Sequence, residues 1–388
     1  MSSRAYGEPL RAPRYGARLA GAGFFLAFAG VVALSLASVQ TGPAPGGAAA
    51  APVQAASPVA GSERNAARPP TEVTIAATGD ITLGSTPELP PDGARSLFAG
   101  VERELRGELV LGNLETALTD TGASKCGSGS TSCFSFRAPP SYAGRLQEAG
   151  FTMLNLANNH SFDFGSTGQG RTVDALDAAR LRHTGRPGEI AYQQVGRVRL
   201  AVLGFAPYPW AQDLRDLDAA KRLVRQAAAT ADVVVVTMHM GAEGNAATHV
   251  PVGSEHYAGE QRGDSRAFAH AAVDAGADLV VGHGPHVLRG LEWYRGRLVA
   301  YSLGNFSSYR NLALSGASGI SGILQVSLDG DGGWLEGRLV PVRLVGDGTP
   351  QLDRDGRAIE AIRALSEADF GAHAVRVDRD GALNPASG

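Results

Sequence analysis

Five stretches of this sequence place a side chain able to bind a metal ion, or to move a proton, directly after an apolar run. Asp80 follows VTIAATG, Asn113 and Glu115 follow ELVLG, and Asn158, Asn159 and His160 follow FTMLNLA. His239 closes VVVVTM, and His283 and His286 follow DLVVG. Two carboxylates, an amide oxygen and three or four imidazoles suit borderline divalent ions, with a carboxylate available to bridge a pair. Soft thiolates and an all-oxygen calcium cage are not offered. Taken singly, each residue admits another role. Asp80 could cap a helix or form a turn, His160 could be a hydrogen-bonded turn residue, and His239 a core histidine donating to a nearby carbonyl. His283 and His286 lie in GHGPH, where the Gly and Pro frame exposes both rings. His183, His249, His256, His270 and His373 have no strand-end position and read as surface or packing residues.

The elements that must position these residues follow from periodicity. Runs at 73–78, 108–111, 151–156, 198–205, 231–238 and 278–281 are strand-like by β-branching, length and flanking Gly or Asp. Apolar residues three or four apart predict helices at 141–149, 170–181, 214–229 and 265–275, two of them stopped by Gly150 and Gly276. Alternating strands and helices indicate an α/β domain with a largely parallel sheet. After His286 only strands follow, at 290–294, 298–302, 323–328 and 334–345, and the turns between them predict successive antiparallel hairpins. A mixed two-sheet sandwich with outer helices accommodates both halves. Ligands of open α/β sheets bind beyond the carboxyl ends of strands, so the five segments are expected to converge on one crevice. The body is placed at 71–345, and 346–388, with charge, Gly and a short helix at 359–366, is expected to be a peripheral tail.

The chain has 388 residues, 44% hydrophobic and 19% charged, which excludes a disordered chain and a polytopic membrane protein. A net charge of -3 gives no pull toward nucleic acid. Residues 19–39 form an apolar run long enough to span a bilayer core, preceded by Arg4, Arg11, Arg14 and Arg18. The positive-inside rule puts 1–18 in the cytoplasm and the body outside a single-pass anchor. Cleavage near Ala37 and Ser38, releasing a secreted protein, is the alternative. Residues 40–70, rich in Ala, Pro and Gly without hydrophobic period, read as a tether. An oxidising compartment and the flexible GSGSTS loop predict a disulfide between Cys126 and Cys133.

Several motifs resemble the bacterial capsule-synthesis CapA family: GDITLG at 79–84, NLETALTD at 113–120, FRAPP at 136–140 and AGFTMLNLANNHSFDFG at 149–165. MHMGAE at 238–243, AGADLVVGHGPHVL at 275–288 and YSLGNF at 301–306 extend the resemblance in the family's order. It implies an N-terminal anchor, work outside the membrane on poly-γ-glutamate capsule, and a four-layer αββα sandwich similar to calcineurin-like metallophosphoesterases. It also implies a dinuclear site holding one or two divalent ions (Mn, Zn or Fe). By position, Asp80 resembles the first Asp ligand, Glu115 the bridging carboxylate, Asn159 the amide ligand and His160 the catalytic acid. His239, His283 and His286 resemble the later histidine ligands. Two departures stand out. Thr82 occupies a position where the phosphoesterases carry a histidine ligand, and two residues, not one, separate His283 from His286. Unequal or single occupancy is the expected consequence.

Arg137 and Asn158 fall in the matched motifs and are candidate substrate contacts. A guanidinium in a metal crevice suits a carboxylate or phosphate, although a surface salt bridge would explain Arg137 equally. Asn305, in LGNF, reads as satisfying backbone. Two functions stand. One is an anchored capsule or poly-γ-glutamate biosynthesis factor, partnered by membrane capsule-synthesis proteins, whose crevice handles an anionic polymer. The other is a surface metal-dependent hydrolase in which a metal-bound hydroxide attacks an amide or the phosphoester of a small molecule and His160 protonates the leaving group. A structural protein retaining an inactive site is a third.

Overall fold

The computed structural model describes residues 72–127, 133–312 and 314–385. The basic segment, apolar run and tether expected at 1–70 lie outside them. No helix among the described residues is long and apolar enough to cross a membrane.

The body is a mixed α/β structure with two larger sheets. In the first, Val73–Thr82, Leu109–Leu114, Met153–Asn155 and Arg182–Thr184 run parallel, and Ile320–Leu328, Trp334–Val345 and Thr349–Leu352 continue antiparallel from the other side of Val73–Thr82. In the second, Val198–Phe205, Val233–His239, Leu279–His283 and Arg297–Ala300 are parallel, flanked by antiparallel Ala191–Val195 and Leu291–Tyr294.

Alternation along the strands explains why their sequences read as unbroken apolar runs. Ile75, Leu109 and Leu111 of the first sheet share one buried cluster with Val202, Val235 and Val281 of the second. The intervening residues face outward into separate clusters. Val110 and Leu154 pack with Leu146 and Leu176 of helices Tyr142–Glu148 and Gly165–Ala178. Leu203, Val236 and Val280 pack with Val224 and Phe268 of helices Leu217–Ala228 and Ser265–Asp274. A strand covered on both faces has no polar face to alternate. Asp216 and Asp264 begin the latter two helices by accepting from the Ala219 and Ala267 amides, which satisfies an otherwise orphaned donor at each.

Three expectations needed correction. The strands after His286 are not one run of hairpins: Arg297–Ala300 lies parallel to Leu279–His283 in the second sheet, whereas Ile320–Leu328 crosses to the first. The second helix begins at Gly165, earlier than its apolar period shows, because its opening GSTGQG has no apolar side chain to mark the period. Residues 346–385 are set into the body: Thr349–Leu352 joins the first sheet, and helix Arg357–Phe370 buries Ala358, Ile359 and Ile362 in the inter-sheet cluster.

Candidate metal centre

A bulge places Asp80. The first strand shifts register between Ala77 and Asp80 against Leu109–Leu114, and between Asp80 and Ile81 against Asn305–Ser308. Such a shift re-aims the side chain that follows it. Gly79 makes this possible, because a Cβ there would stand 1.9 Å from the Gly304 carbonyl oxygen, to which the Asp80 amide donates at 2.9 Å.

The neighbouring strand ends deliver the partners in register. Asn113 is the Cα partner of Asp80, Asn155 that of Asn113, and His283 that of His239. The Asn113 amide nitrogen lies 2.8 Å from Asp80 Oδ1 and 3.1 Å from His239 Nδ1, tying the first sheet's carboxylate to the second sheet's imidazole. Asp80, Glu115 and His239, all fully buried, offer ligand atoms within 4.8 Å of one another. His286 joins them, its Nδ1 3.1 Å from Asp80 Oδ2 and 3.7 Å from Glu115 Oε2. The GHGPH turn holds His286 at φ 59°, a left-handed conformation that disfavours any residue with a β-carbon and recurs at functional sites.

The donor set fits a divalent cation. Both Glu115 carboxylate oxygens and His239 Nε2 are buried without a hydrogen-bond partner, and so is Asn159 Oδ1, while His286 Nδ1 faces the Asp80 and Glu115 carboxylates. Buried polar atoms are ordinarily paired, so an unpaired cluster of oxygens and an imidazole nitrogen indicates a ligand. The charge balance agrees. Burial, reinforced by the negative charge of Asp80, pushes the Glu115 carboxyl well above the usual range. Burial opposes ionisation of Asp80 too, yet the hydrogen bond and charge of His286 hold it low. His286 is pushed up to about 10, its own burial outweighed by Glu115 and Asp80. The His286 imidazolium thus lies against the Asp80 and Glu115 carboxyls, where a bound divalent ion would supply positive charge in its place.

Comparison with known proteins decides the family at this point. The profile of the bacterial capsule synthesis protein family PGA_cap matches residues 74–310. This chain belongs to that family. It is 37% identical over 185 residues to the capsule biosynthesis protein CapA of Bacillus anthracis, covering 42% of this chain and 41% of that one. With the PGA biosynthesis protein CapA of Bacillus subtilis strain 168 it shares 32% over 252 residues, 59% of this chain and 61% of the relative. The chain therefore spans less than two thirds of either relative. Among solved structures, the 5'-nucleotidase precursor from Thermus thermophilus aligns over 76% of this chain and 59% of its own, with 16% identity and a TM-score of 0.40. A score that low carries no argument about chemistry.

Not every residue that the PGA_cap motifs single out faces the ligand set. His283 has both ring nitrogens engaged, Nε2 with the Thr78 carbonyl at 2.9 Å and Nδ1 with the Thr237 hydroxyl at 3.1 Å, so it braces the two sheets. Asn158 spends every polar atom on the protein. Its amide hydrogens go to Asn113 Oδ1 and the Leu114 carbonyl, and its Oδ1 accepts from the His160 and Ser161 amides. Arg137 donates to the Gly122 carbonyl at 2.7 Å and lies over the Phe164 ring. Asn305 donates to the His286 and Ser318 carbonyls, holding the GHGPH turn from behind. Thr82 is buried and donates to the Ser307 carbonyl at 3.3 Å. Cys126 and Cys133 are disulfide-bonded, with Cα atoms 5.4 Å apart.

His160 is held by Asp163, whose Oδ2 lies 2.8 Å from Nδ1, and Phe136 stacks on its ring at 4.2 Å. Burial lowers its affinity for a second proton. Sequence reasoning missed Asp163, although its spacing of three from His160 was a usable signal. It also missed Glu243, which reaches toward His286 Nε2 at 3.8 Å while accepting from buried Arg262 at 2.6 Å.

Proposed function

We propose that this PGA_cap family member is a membrane-anchored, extracytoplasmic factor of capsule or poly-γ-glutamate biosynthesis whose crevice holds a divalent metal and handles an anionic polymer. The observation that carries it is the cluster of unpaired, fully buried ligand atoms on Glu115 and His239 beside Asp80 and His286. The named relatives act in capsule and PGA biosynthesis, which supplies the polymer. Asp80, Glu115, His239 and His286 would hold the ion, with Asn159 a further candidate. When bound, such an ion polarises a phosphoryl or carbonyl oxygen. His160, its Nδ1 held by Asp163, would have Nε2 left to move a proton, which supports hydrolysis beside gripping.

The decisive experiment is metal analysis of the purified chain beside Asp80→Ala and His239→Ala. Both variants should lose metal while unfolding cooperatively, because strand-end ligands bury little apolar surface. A wild-type chain with no affinity for Mn, Zn or Fe at micromolar levels sinks the reading. Manganese-dependent turnover of a generic phosphodiester, reduced in His160→Ala with metal retained, separates cutting from gripping. Anchoring is tested by membrane partition of the full chain and its removal from intact cells by protease.

A further inference from the structure

The surroundings of Asp163 hold a feature that the metal reading does not use. Asp163 is fully buried, and its Oδ2 takes both the His160 ring and the Phe136 amide, the latter at 2.7 Å. Its other oxygen, Oδ1, forms an ion pair with Lys125 Nζ at 2.6 Å. Lys125 is fixed by two more contacts, from its amide to the Asp163 carbonyl at 2.8 Å and from Nζ to the Asn159 carbonyl at 3.1 Å. Lys125 and Phe136 therefore hold the Asp163–His160 pair from two sides, one by charge and one by ring contact.

These two residues come from opposite arms of one loop. Lys125 immediately precedes Cys126, Phe136 follows Cys133 by three positions, and the hydroxyls of Ser124 and Ser135 meet between the arms at 2.9 Å. The chain's only two cysteines close this loop and no other. A lysine side chain gives up rotamer entropy to be fixed, and one whose side chain is 34% exposed has water as an alternative. Bracing the backbone on which it stands reduces what must still be ordered.

We propose that Lys125, braced by the Cys126–Cys133 disulfide, is a positioning residue for His160, and that reduction of the disulfide by a dithiol loosens it. This rests on the reading of His160 as the proton-moving group. The redox step is balanced: the dithiol passes two electrons and two protons to the cystine, becomes a disulfide itself, and leaves Cys126 and Cys133 as thiols. Lys125 then departs from Asp163 Oδ1, and the imidazole keeps one restraint fewer.

The test uses the full chain, oxidised and after treatment with dithiothreitol, beside Lys125→Met, Lys125→Arg and the double variant Cys126→Ser, Cys133→Ser. Two readouts are taken once metal content and cooperative unfolding match wild type. The first is the rate at which diethyl pyrocarbonate labels His160, read by peptide mass. The second is kcat and KM on a generic phosphodiester. Reduction, the double variant and Lys125→Met should each raise labelling of His160 severalfold and lower kcat about tenfold or more at unchanged KM, as misplacement of a proton donor does. Lys125→Arg should restore most of both. Lys125→Met decides the matter alone if the double variant fails to fold, since it leaves the disulfide intact. Labelling and kcat at wild-type values in both the reduced chain and Lys125→Met would overturn the proposal. A chain that turns over no phosphodiester yet shows the labelling change would refute the hydrolytic reading and leave the positioning role standing.

Discussion

Glu115 Oε1 and His239 Nε2 stand 3.4 Å apart, both fully buried and neither hydrogen-bonded. Two ligands bonded to one ion at about 2.0–2.2 Å in tetrahedral geometry are separated by about 3.3–3.6 Å. The two atoms are thus spaced as partners of a third body. They come from different sheets, Glu115 just past the strand Leu109–Leu114 and His239 at the end of Val233–His239, so the inter-sheet core fixes their separation.

Without metal, that pairing is a liability, and Glu115→Gln should expose it. The wild-type carboxyl has no donor and sits near Asp80, whereas an amide has no charge to desolvate. In the presence of a chelator, Glu115→Gln is expected to be at least as stable as wild type, by about 1–3 kcal/mol. With metal supplied the order should reverse, since the variant forfeits a ligand. Thermal unfolding with and without chelator measures both, and a variant less stable than wild type under both conditions would show that Glu115 serves the fold.

Gly79 makes a sharper demand. A methyl group there meets the backbone of Gly304 on the strand connection beside Asp80, with no flexible side chain to yield. Gly79→Ala should cost more than about 3 kcal/mol or displace Asp80 enough to abolish metal binding. Denaturant unfolding together with metal content checks this. A variant close to wild type in both would mean that the bulge can be rebuilt elsewhere.

The strand-end placement of Asp80, Glu115 and His239 was legible because strands covered on both faces read as continuous apolar runs, and the first polar residue after each run marks a sheet end. Where each side chain turns next was not legible. His283 and His286 share one short motif, yet the backbone of His286 adopts φ 59° and joins the carboxylates, while the His283 ring braces Thr78 and Thr237. Asn158 and Asn159 are adjacent, and the first is consumed entirely by protein contacts. Strand Asn305–Ser308, which pairs with the bulged end of Val73–Thr82, was hidden by its length and its two serines. In each case pairing partners distant in the chain decide what local pattern leaves open.

At the opposite end of the strand Leu279–His283, Asp278 gives a prediction about pH. Its Oδ2 accepts from the Val234 amide at 2.8 Å and its Oδ1 pairs with Arg297 at 3.0 Å, yet it is only 9% exposed. Burial outweighs both partners and pushes its carboxyl up to about 6, against 3.8 for an ordinary aspartate. The folded state therefore holds this proton more tightly than the unfolded chain does. The resulting stabilisation is complete below about pH 3.8 and is lost as pH rises through about 6. The difference corresponds to about 3 kcal/mol as an order of magnitude. Urea unfolding of wild type and Asp278→Asn between pH 4 and 7.5, with chelator present, isolates it, because the groups shared by both proteins cancel in the difference. Relative to Asp278→Asn, wild type should lose stability as pH rises across that window, steeply between the two pKa values and little above 7. A difference that is flat across the window would mean that Val234 and Arg297 hold the carboxylate ionised after all, and that this strand start is stabilised by an ion pair at every pH tested.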